Sequence, residues 1–425
     1  GTYFSAPGVL TSGDKFTGSW NFTIDPINVG GLIAGDSLYY YVIAQDSSIN
    51  SNIASNPGGV EATDVNSIIS HPVLNSSYTI LIPYSGTYSV GAGQTFATLT
   101  GVGGAFQALN NGSISGNVTL QLTSDIEEPG TIALNEMPKD NNDFTISIVP
   151  DAATLRSLTA SITTSNSAVI RLDGADKVII DGSFNGSGRY IRIMNRVQGA
   201  ATLNLLNDAQ RDTIRNVIIE GVNNTVGMLN FFGSNKPGAT GNDSNAVIGC
   251  MFRDTLGTVA TSNIPNTAIF SQGTPDNDYN TISGNEIYNF GFNGINLSTT
   301  SGFFWRILNN SFYQQITKNN AMVVIPVNGG NGHIIKGNSF GGSSANRSGS
   351  AFVSSSSLTM INLATTLSNT NPIIIDSNTF SNISSTGTTN FMKCIVVGSG
   401  NVQITNNIFG GAAMPYDTLR NSGDA

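Results

Sequence analysis

The sequence predicts an all-β protein whose main body is a right-handed parallel β-helix, preceded by a small β-sandwich fragment. Three observations carry that prediction. A short phrase recurs, with variation, as Val178-Ile179-Ile180-Asp181-Gly182, Val217-Ile218-Ile219-Glu220-Gly221, His333-Ile334-Ile335-Lys336-Gly337-Asn338 and Ile373-Ile374-Ile375-Asp376-Ser377-Asn378. Each is a β-rich run ending in a Gly or Asn corner. From Asn285 onward a corner asparagine returns at Asn310, Asn338, Asn378 and Asn407, at intervals of 25, 28, 40 and 29 residues. Repeats of that length, with strands and corners but no helical stretch, are the signature of a solenoid with one repeat per coil. Finally, only 11% of the 425 residues are charged while 48 are glycine, a mixture that disfavours helices and suits strands joined by tight turns.

The elements follow in order. Residues 1–56 carry the strand-like runs Trp20-Asn21-Phe22-Thr23-Ile24 and Ser37-Leu38-Tyr39-Tyr40-Tyr41-Val42-Ile43-Ala44. The second is an aromatic alternation of the kind that ends an immunoglobulin-like or fibronectin-like sandwich. Residues 57–77, rich in Ser, Asn, Gly and Pro, are expected to be a linker. The β-helix is expected over 78–425. Phe96, Leu99, Val102, Phe106 and Leu109 fall at helical spacing, which predicts a helix near 95–110 that caps the amino-terminal end of the solenoid. The polar stretch from Gly341 to Ser357 is expected to loop out of a coil and so account for the 40-residue interval.

Composition also excludes partners. The net charge of −9, with no basic cluster, argues against nucleic acid. No apolar run is long enough to span a membrane. The two cysteines, Cys250 and Cys394, lie several coils apart in apolar runs, which predicts free, buried thiols rather than a disulfide. The chain reads as a segment of a longer polypeptide. No carboxy-terminal cap is legible after Phe409, so that end is expected to dock onto further coils, another domain or another copy.

Ser85-Gly86-Thr87-Tyr88-Ser89-Val90-Gly91, Thr95-Phe96-Ala97-Thr98-Leu99, Ala108-Leu109-Asn110 and Gly116-Asn117-Val118-Thr119-Leu120-Gln121-Leu122 carry a resemblance. They resemble the opening of β-helix modules in very large cell-surface proteins of Bacteroidetes-type bacteria. Tyr39-Tyr40-Tyr41-Val42-Ile43-Ala44-Gln45-Asp46 resembles a strand of the sandwich domain that often precedes them. The resemblance covers residues 40–225 by motif and the later coils by repeat style. It implies an extracellular protein exported by the type IX system, often an adhesin, and it names no catalytic residue. No sorting domain of the kind used for that export is legible in these residues, which fits the reading of the chain as a segment. Four triplets beginning Asp-Ser or Asp-Thr match the O-glycosylation motif of that group, which makes Ser37, Thr213, Thr255 and Thr418 candidate acceptors.

β-Helices also host polysaccharide lyases and glycoside hydrolases, whose chemistry demands particular residues. A glycosidase needs two carboxylates about 5–10 Å apart. The densest acidic set is Asp173, Asp176 and Asp181, for which corner structure is the favoured reading and catalysis the minor one. Of the two histidines, His71 precedes a proline and His333 opens a strand, making His333 the one candidate base. Lys336 and Arg306 are available to a lyase, with no acidic cluster beside them in sequence. Zinc is unsupported. Calcium is the one cation considered, with weak candidates in Asp140 and Asp143, and in Asp276 and Asp278; neither loop has the spaced ligand set of a dedicated site. Phe312, Phe340, Phe380 and Phe409 occupy equivalent places and are expected to stack inward. Asn285, Asn310, Asn338, Asn378 and Asn407 are expected to form an internal amide ladder. The function expected is a non-catalytic surface protein, an adhesin or a stalk or filament module that binds glycans or other surface proteins. The alternative is a β-helix lyase or hydrolase.

Overall fold

The computed structural model describes residues 3–49, 52–137, 143–222, 225–255, 264–364, 370–386, 391–411 and 419–421. Two compact units emerge, one comprising Gly1–Pro83 with Asn111–Ser113, the other Tyr84–Asn110 with Ile114–Ala425.

The larger unit is a parallel β-solenoid. Its strands form three sheets of 11, 10 and 9 strands, and each coil contributes one strand to each sheet in turn. Val178–Asp181, Ile191–Asn195 and Ala201–Leu206 make one such coil. Because side chains alternate along a strand, every second residue enters the interior. The register therefore stacks like on like. In the first sheet Ile180 pairs with Ile214, Ile214 with Val247, Val247 with Ile282, Ile282 with Ile307, Ile307 with Ile335 and Ile335 with Ile375. All seven are buried. In the second sheet Phe312, Phe340, Phe380 and Phe409 stack ring on ring, with centroids 4.9, 4.8 and 5.2 Å apart. Fully burying a side chain of this size contributes about 1.5–3 kcal/mol, so these columns supply most of the driving force for coil stacking.

Three segments differ from the sequence reading. The helix expected near 95–110 is only Ala105–Asn110. Gly101, Gly103 and Gly104 interrupt the helical spacing, Gly103 takes φ +75°, and Val102 faces solvent. Phe96, Leu99, Phe106 and Leu109 still enter the core. The buried Glu128 carboxylate orders the approach to the helix by accepting the Leu99 and Thr100 backbone N–H groups, each at 2.8 Å. The stretch from Gly341 to Ser357 loops out only in part. After a single 3-10 turn, Ala345–Arg347, it returns as the strand Phe352–Ser354. That strand starts a fourth parallel column, continued by Ile383–Ser385 and Leu419–Asn421. The buried Phe352 ring anchors it.

The smaller unit is built of antiparallel pairs: Val9–Gly13 with Gly18–Asn21, Ser37–Tyr40 with Ser76–Thr79, Val42–Gln45 with Ile53–Asn56, and Glu61–Ala62 with Ile68–Ser70. Residues 57–77, expected as a linker, thus hold one hairpin and part of a strand. The Ser, Asn and Gly that suggested a linker serve equally well in tight turns. Tyr41 is held to His71 by a hydrogen bond of 2.8 Å between the phenol and Nδ1.

Candidate functional site

The corners of the coils absorb most of the sequence candidates. Asn285 Nδ2 donates to Asn310 Oδ1 at 2.9 Å, Asn310 to Asn338 at 3.0 Å, Asn338 to Asn378 at 2.9 Å and Asn378 to Asn407 at 2.9 Å. Each Oδ1 also accepts the backbone N–H of the asparagine one coil earlier. At the preceding coil Cys250 takes the place of an asparagine, and its N–H donates to Asn285 Oδ1 at 2.8 Å. Burial pushes the Cys250 thiol up to about 12 and the Cys394 thiol to about 11; both cysteines are free.

A second column runs at the corner that leads into the first sheet. Val178 N–H donates to Asp212 Oδ1, Asp212 N–H to Asn245 Oδ1 and Asn245 N–H to Asn280 Oδ1, at 2.8, 2.8 and 2.9 Å. His333 belongs to this column: its Nδ1 accepts the Trp305 N–H at 3.2 Å. Nε2 therefore carries the ring proton and donates to Gly329 O at 3.1 Å. The ring is fully buried, and that burial lowers the imidazole to about 4. A neutral imidazole with both nitrogens engaged and no solvent access is a corner residue, not a poised base.

The acidic set is split by a strand. Asp173 accepts Asn207 Nδ2 at 2.6 Å. Asp176 accepts Gln210 N–H and pairs with Arg211 at 2.7 Å. Both precede the strand Val178–Asp181, and Asp181 closes it, so a four-residue strand of about 13 Å separates them. Asp181 is turned to its own corner, accepting Ser183 N–H at 2.9 Å and Arg215 at 2.8 Å. Burial acts to raise its pKa, but the Ser183 and Arg215 bonds outweigh that and hold the carboxyl below the usual range.

Asp140 lies outside the described residues, and Asp143 forms an ion pair with Lys177. Asp276 and Asp278 join Asp208 and Asp243 in an acidic patch. Burial, with Asp278, Asp208 and Asp276 adding repulsion, raises Asp243 to about 6. Asp243 Oδ1 is occupied by the Asp278 N–H at 2.6 Å, and Asp278 Oδ1 by the Phe303 N–H at 2.7 Å. Among the described residues no three His, Cys, Asp or Glu side chains are arranged to hold a metal.

Of the O-glycosylation candidates, Ser37 is exposed, Thr213 is half-buried beside the buried Asp212, Thr255 is buried, and Thr418 lies outside the described residues. Among the aromatics Trp305 is buried, its indole N–H donating to Asn277 O at 2.7 Å. Phe304 stacks on the exposed Tyr279 with centroids 5.0 Å apart.

Among the described residues, the outer face of the first sheet carries a cleft. Ile307, Ile335 and Ile375 point inward, so their neighbours point outward. Arg306, Leu308, Asn309, Ile334, Lys336, Ile374 and Asp376 line a cleft of about 430 Å³. Its floor is apolar, from Leu308, Ile334 and Ile374. Lys336 pairs with Asp376 at 2.8 Å. That pair, with bonds from Asn406 and Thr405, holds the Asp376 carboxyl well below the usual carboxylate range. Arg306 is exposed, and among the described residues its guanidinium has no hydrogen-bond or ion-pair partner. Sequence reasoning noted Arg306 and Lys336 singly but did not bring Asp376 to them.

The geometry defines a class: a parallel β-solenoid with a structural corner lattice and one open, partly cationic face. No family profile matches the sequence, and no curated protein matches it. Solved structures with a similar course include a pectin methylesterase from Aspergillus niger, at 13% identity and a TM-score of 0.39 over 80% of this chain and 90% of that one. An alginate lyase from Paenibacillus is similar at 12% identity and a TM-score of 0.37, over 74% of this chain and 99% of that one. PfbA, a surface adhesin of Streptococcus pneumoniae, is similar at 12% identity and a TM-score of 0.35, over 71% and 83%. Both enzymes and an adhesin are among these structures. No helix among the described residues is long and apolar enough to cross a membrane.

Proposed function

We propose that this chain is a non-catalytic, extracellular binding module, an adhesin or stalk, whose first-sheet face holds acidic glycans. The observation that carries the reading is the unpaired Arg306 guanidinium that shares a cleft with Lys336 over an apolar floor. A guanidinium presents a planar fork of donors that matches a carboxylate, and the apolar floor suits the carbon face of a sugar ring. The side chains that catalysis would need are each committed elsewhere: His333 and Asp181 to corners, Asp176 to Arg211. The extracellular setting rests on the resemblance of residues 85–122 to bacterial surface proteins.

The test is a binding titration with uronate-bearing and neutral oligosaccharides of equal length, on wild type and on Arg306→Ala. The reading expects preference for the uronate series, weakening as salt rises, and a loss of about tenfold or more in Arg306→Ala, in line with one charge-assisted bond. Equal affinity for the two series, or an Arg306→Ala variant that binds as wild type, would remove the cleft from the account.

A further inference from the structure

The corner that leads into the first sheet carries an outward column beside the inward one. Arg211, Ser244, Tyr279, Phe304 and Gly332 sit just before Asp212, Asn245, Asn280, Trp305 and His333, and all five have positive φ, from 56° to 68°. Their N–H groups bond to the next coil in one pattern, Tyr279 to Phe303 O and Phe304 to Asn331 O, each at 3.0 Å. The corner thus imposes the left-handed conformation, which glycine bears with least strain. Gly332 obeys that preference. Tyr279 and Phe304 do not: two bulky rings hold a backbone conformation that suits them poorly.

Core packing does not account for Tyr279, which is 56% exposed, while Phe304 is half-buried. The rings are nevertheless ordered. Their planes lie within 9° of parallel, and their centroids are 5.0 Å apart, close to the coil spacing of about 4.8 Å. On one side the stack is closed. A Cβ at Gly332 would lie 2.5 Å from two carbons of the Phe304 ring, so that ring rests against bare backbone. On the other side the equivalent place belongs to Ser244, which is small and exposed. Tyr279 therefore ends the stack as an aromatic shelf.

The shelf adjoins the cleft. Phe304 precedes Arg306 by two residues, so their Cα atoms are at most about 7 Å apart. Tyr279 stands in the same relation to Thr281, the strand partner of Arg306. Its other border is acidic: Asp278 precedes Tyr279, Asp243 precedes Ser244, and the Asp278 N–H donates to Asp243 Oδ1 at 2.6 Å.

We infer that Tyr279, backed by Phe304, is a second sugar subsite, which stacks the uncharged ring next in the chain to the uronate at Arg306. This subsite rests on the reading of the cleft as a glycan site. The C–H bonds on the face of a sugar ring are weakly positive, and the face of a phenol ring is negative. A second carboxylate on the shelf would meet Asp243 and Asp278, and like charges in contact are costly. The shelf thus selects an uncharged sugar where Arg306 selects an acidic one. The ligand class is a heteroglycan that alternates uronate with an uncharged hexose.

The test compares two hexasaccharides, one all uronate and one alternating uronate with an uncharged hexose, by binding titration on the full chain. Wild type should prefer the alternating chain by about threefold to tenfold, the worth of one ring contact. Tyr279→Ala should erase that preference while still binding the all-uronate chain, and so should Tyr279→Asn, whose side chain suits the left-handed corner. Tyr279→Phe should keep it, because the ring and not the hydroxyl makes the contact. Arg306→Ala should weaken both chains. No preference in wild type overturns the subsite, as does a preference that survives Tyr279→Ala and Tyr279→Asn or disappears in Tyr279→Phe. Where one of those results accompanies a loss of both chains in Arg306→Ala, the subsite fails and the cleft stands. Where Arg306→Ala binds both chains as wild type does, the cleft reading fails and this subsite falls with it.

Discussion

His333 Nδ1 accepts the backbone N–H of Trp305 at 3.2 Å, the same service that Asn280 Oδ1 performs for Asn245 at 2.9 Å earlier in the column. Two different side chains thus close the same corner, and the histidine does so only while neutral. The unfolded chain binds a proton near the ordinary value of 6.5, whereas the folded chain refuses it until about 4. The unfolded state therefore binds more protons in that window, so the stability tied to His333 is present above 6.5 and is lost as pH falls toward 4. The full effect is on the order of 3 kcal/mol. His333→Asn should keep the corner and flatten this pH dependence. His333→Leu should cost about 1–3 kcal/mol at neutral pH by stranding the Trp305 N–H. Urea melts near neutral pH and near the acid end of the window check both.

The Asn338 side chain makes four ladder bonds: it accepts two from Asn310 and donates one each to Asn378 Oδ1 and Ile307 O. Asn338→Leu should lower stability by about 1–3 kcal/mol, since the stranded groups are buried. An unchanged melting temperature would show that the ladder contributes nothing net.

Asp212 stands where an asparagine serves in the next two coils, and its Oδ2 is buried without a hydrogen-bond partner. Burial raises its carboxyl well above the ordinary value of 3.8, so the folded chain holds a proton that the unfolded chain releases. Stability from this site is therefore present at low pH and is lost as pH rises through 3.8 toward the folded value. Asp212→Asn should raise neutral-pH stability by about 1–3 kcal/mol, with the gain vanishing below about pH 4. Paired thermal melts of the variant and wild type across that range measure it.

The solenoid was legible because its inward columns repeat one chemistry: Ile180, Ile282, Ile335 and Ile375 fall on the same phase of recurring phrases. The asparagines from Asn285 to Asn407 were legible for the same reason. The second corner column was not, since Asp212, Asn245, Asn280 and His333 share a role across three residue types. Read alone, His333 suggested a base; only its neighbours above and below give it a structural duty. The apolar spacing from Phe96 to Leu109 overextends the cap helix, because the glycines at 101, 103 and 104 break it. The cleft was not legible because Arg306, Lys336 and Asp376 come from separate coils. Alternation says that each faces outward, but only register sets Lys336 beside Asp376 and Arg306 beside Ile334, at the other end of the same face.

The central claim is that this solenoid binds through its first-sheet face and does no chemistry there. The most direct test is to incubate the full chain, with and without calcium, with the uronate-bearing and neutral oligosaccharides used for binding, and to follow release of reducing ends and of unsaturated sugar. The account predicts saturable binding of the acidic series and no release beyond the buffer control. Sustained multiple-turnover release, abolished by substituting Asp173, Asp176 or Asp181, or by Lys336→Ala, would contradict it and identify a polysaccharide-cleaving enzyme.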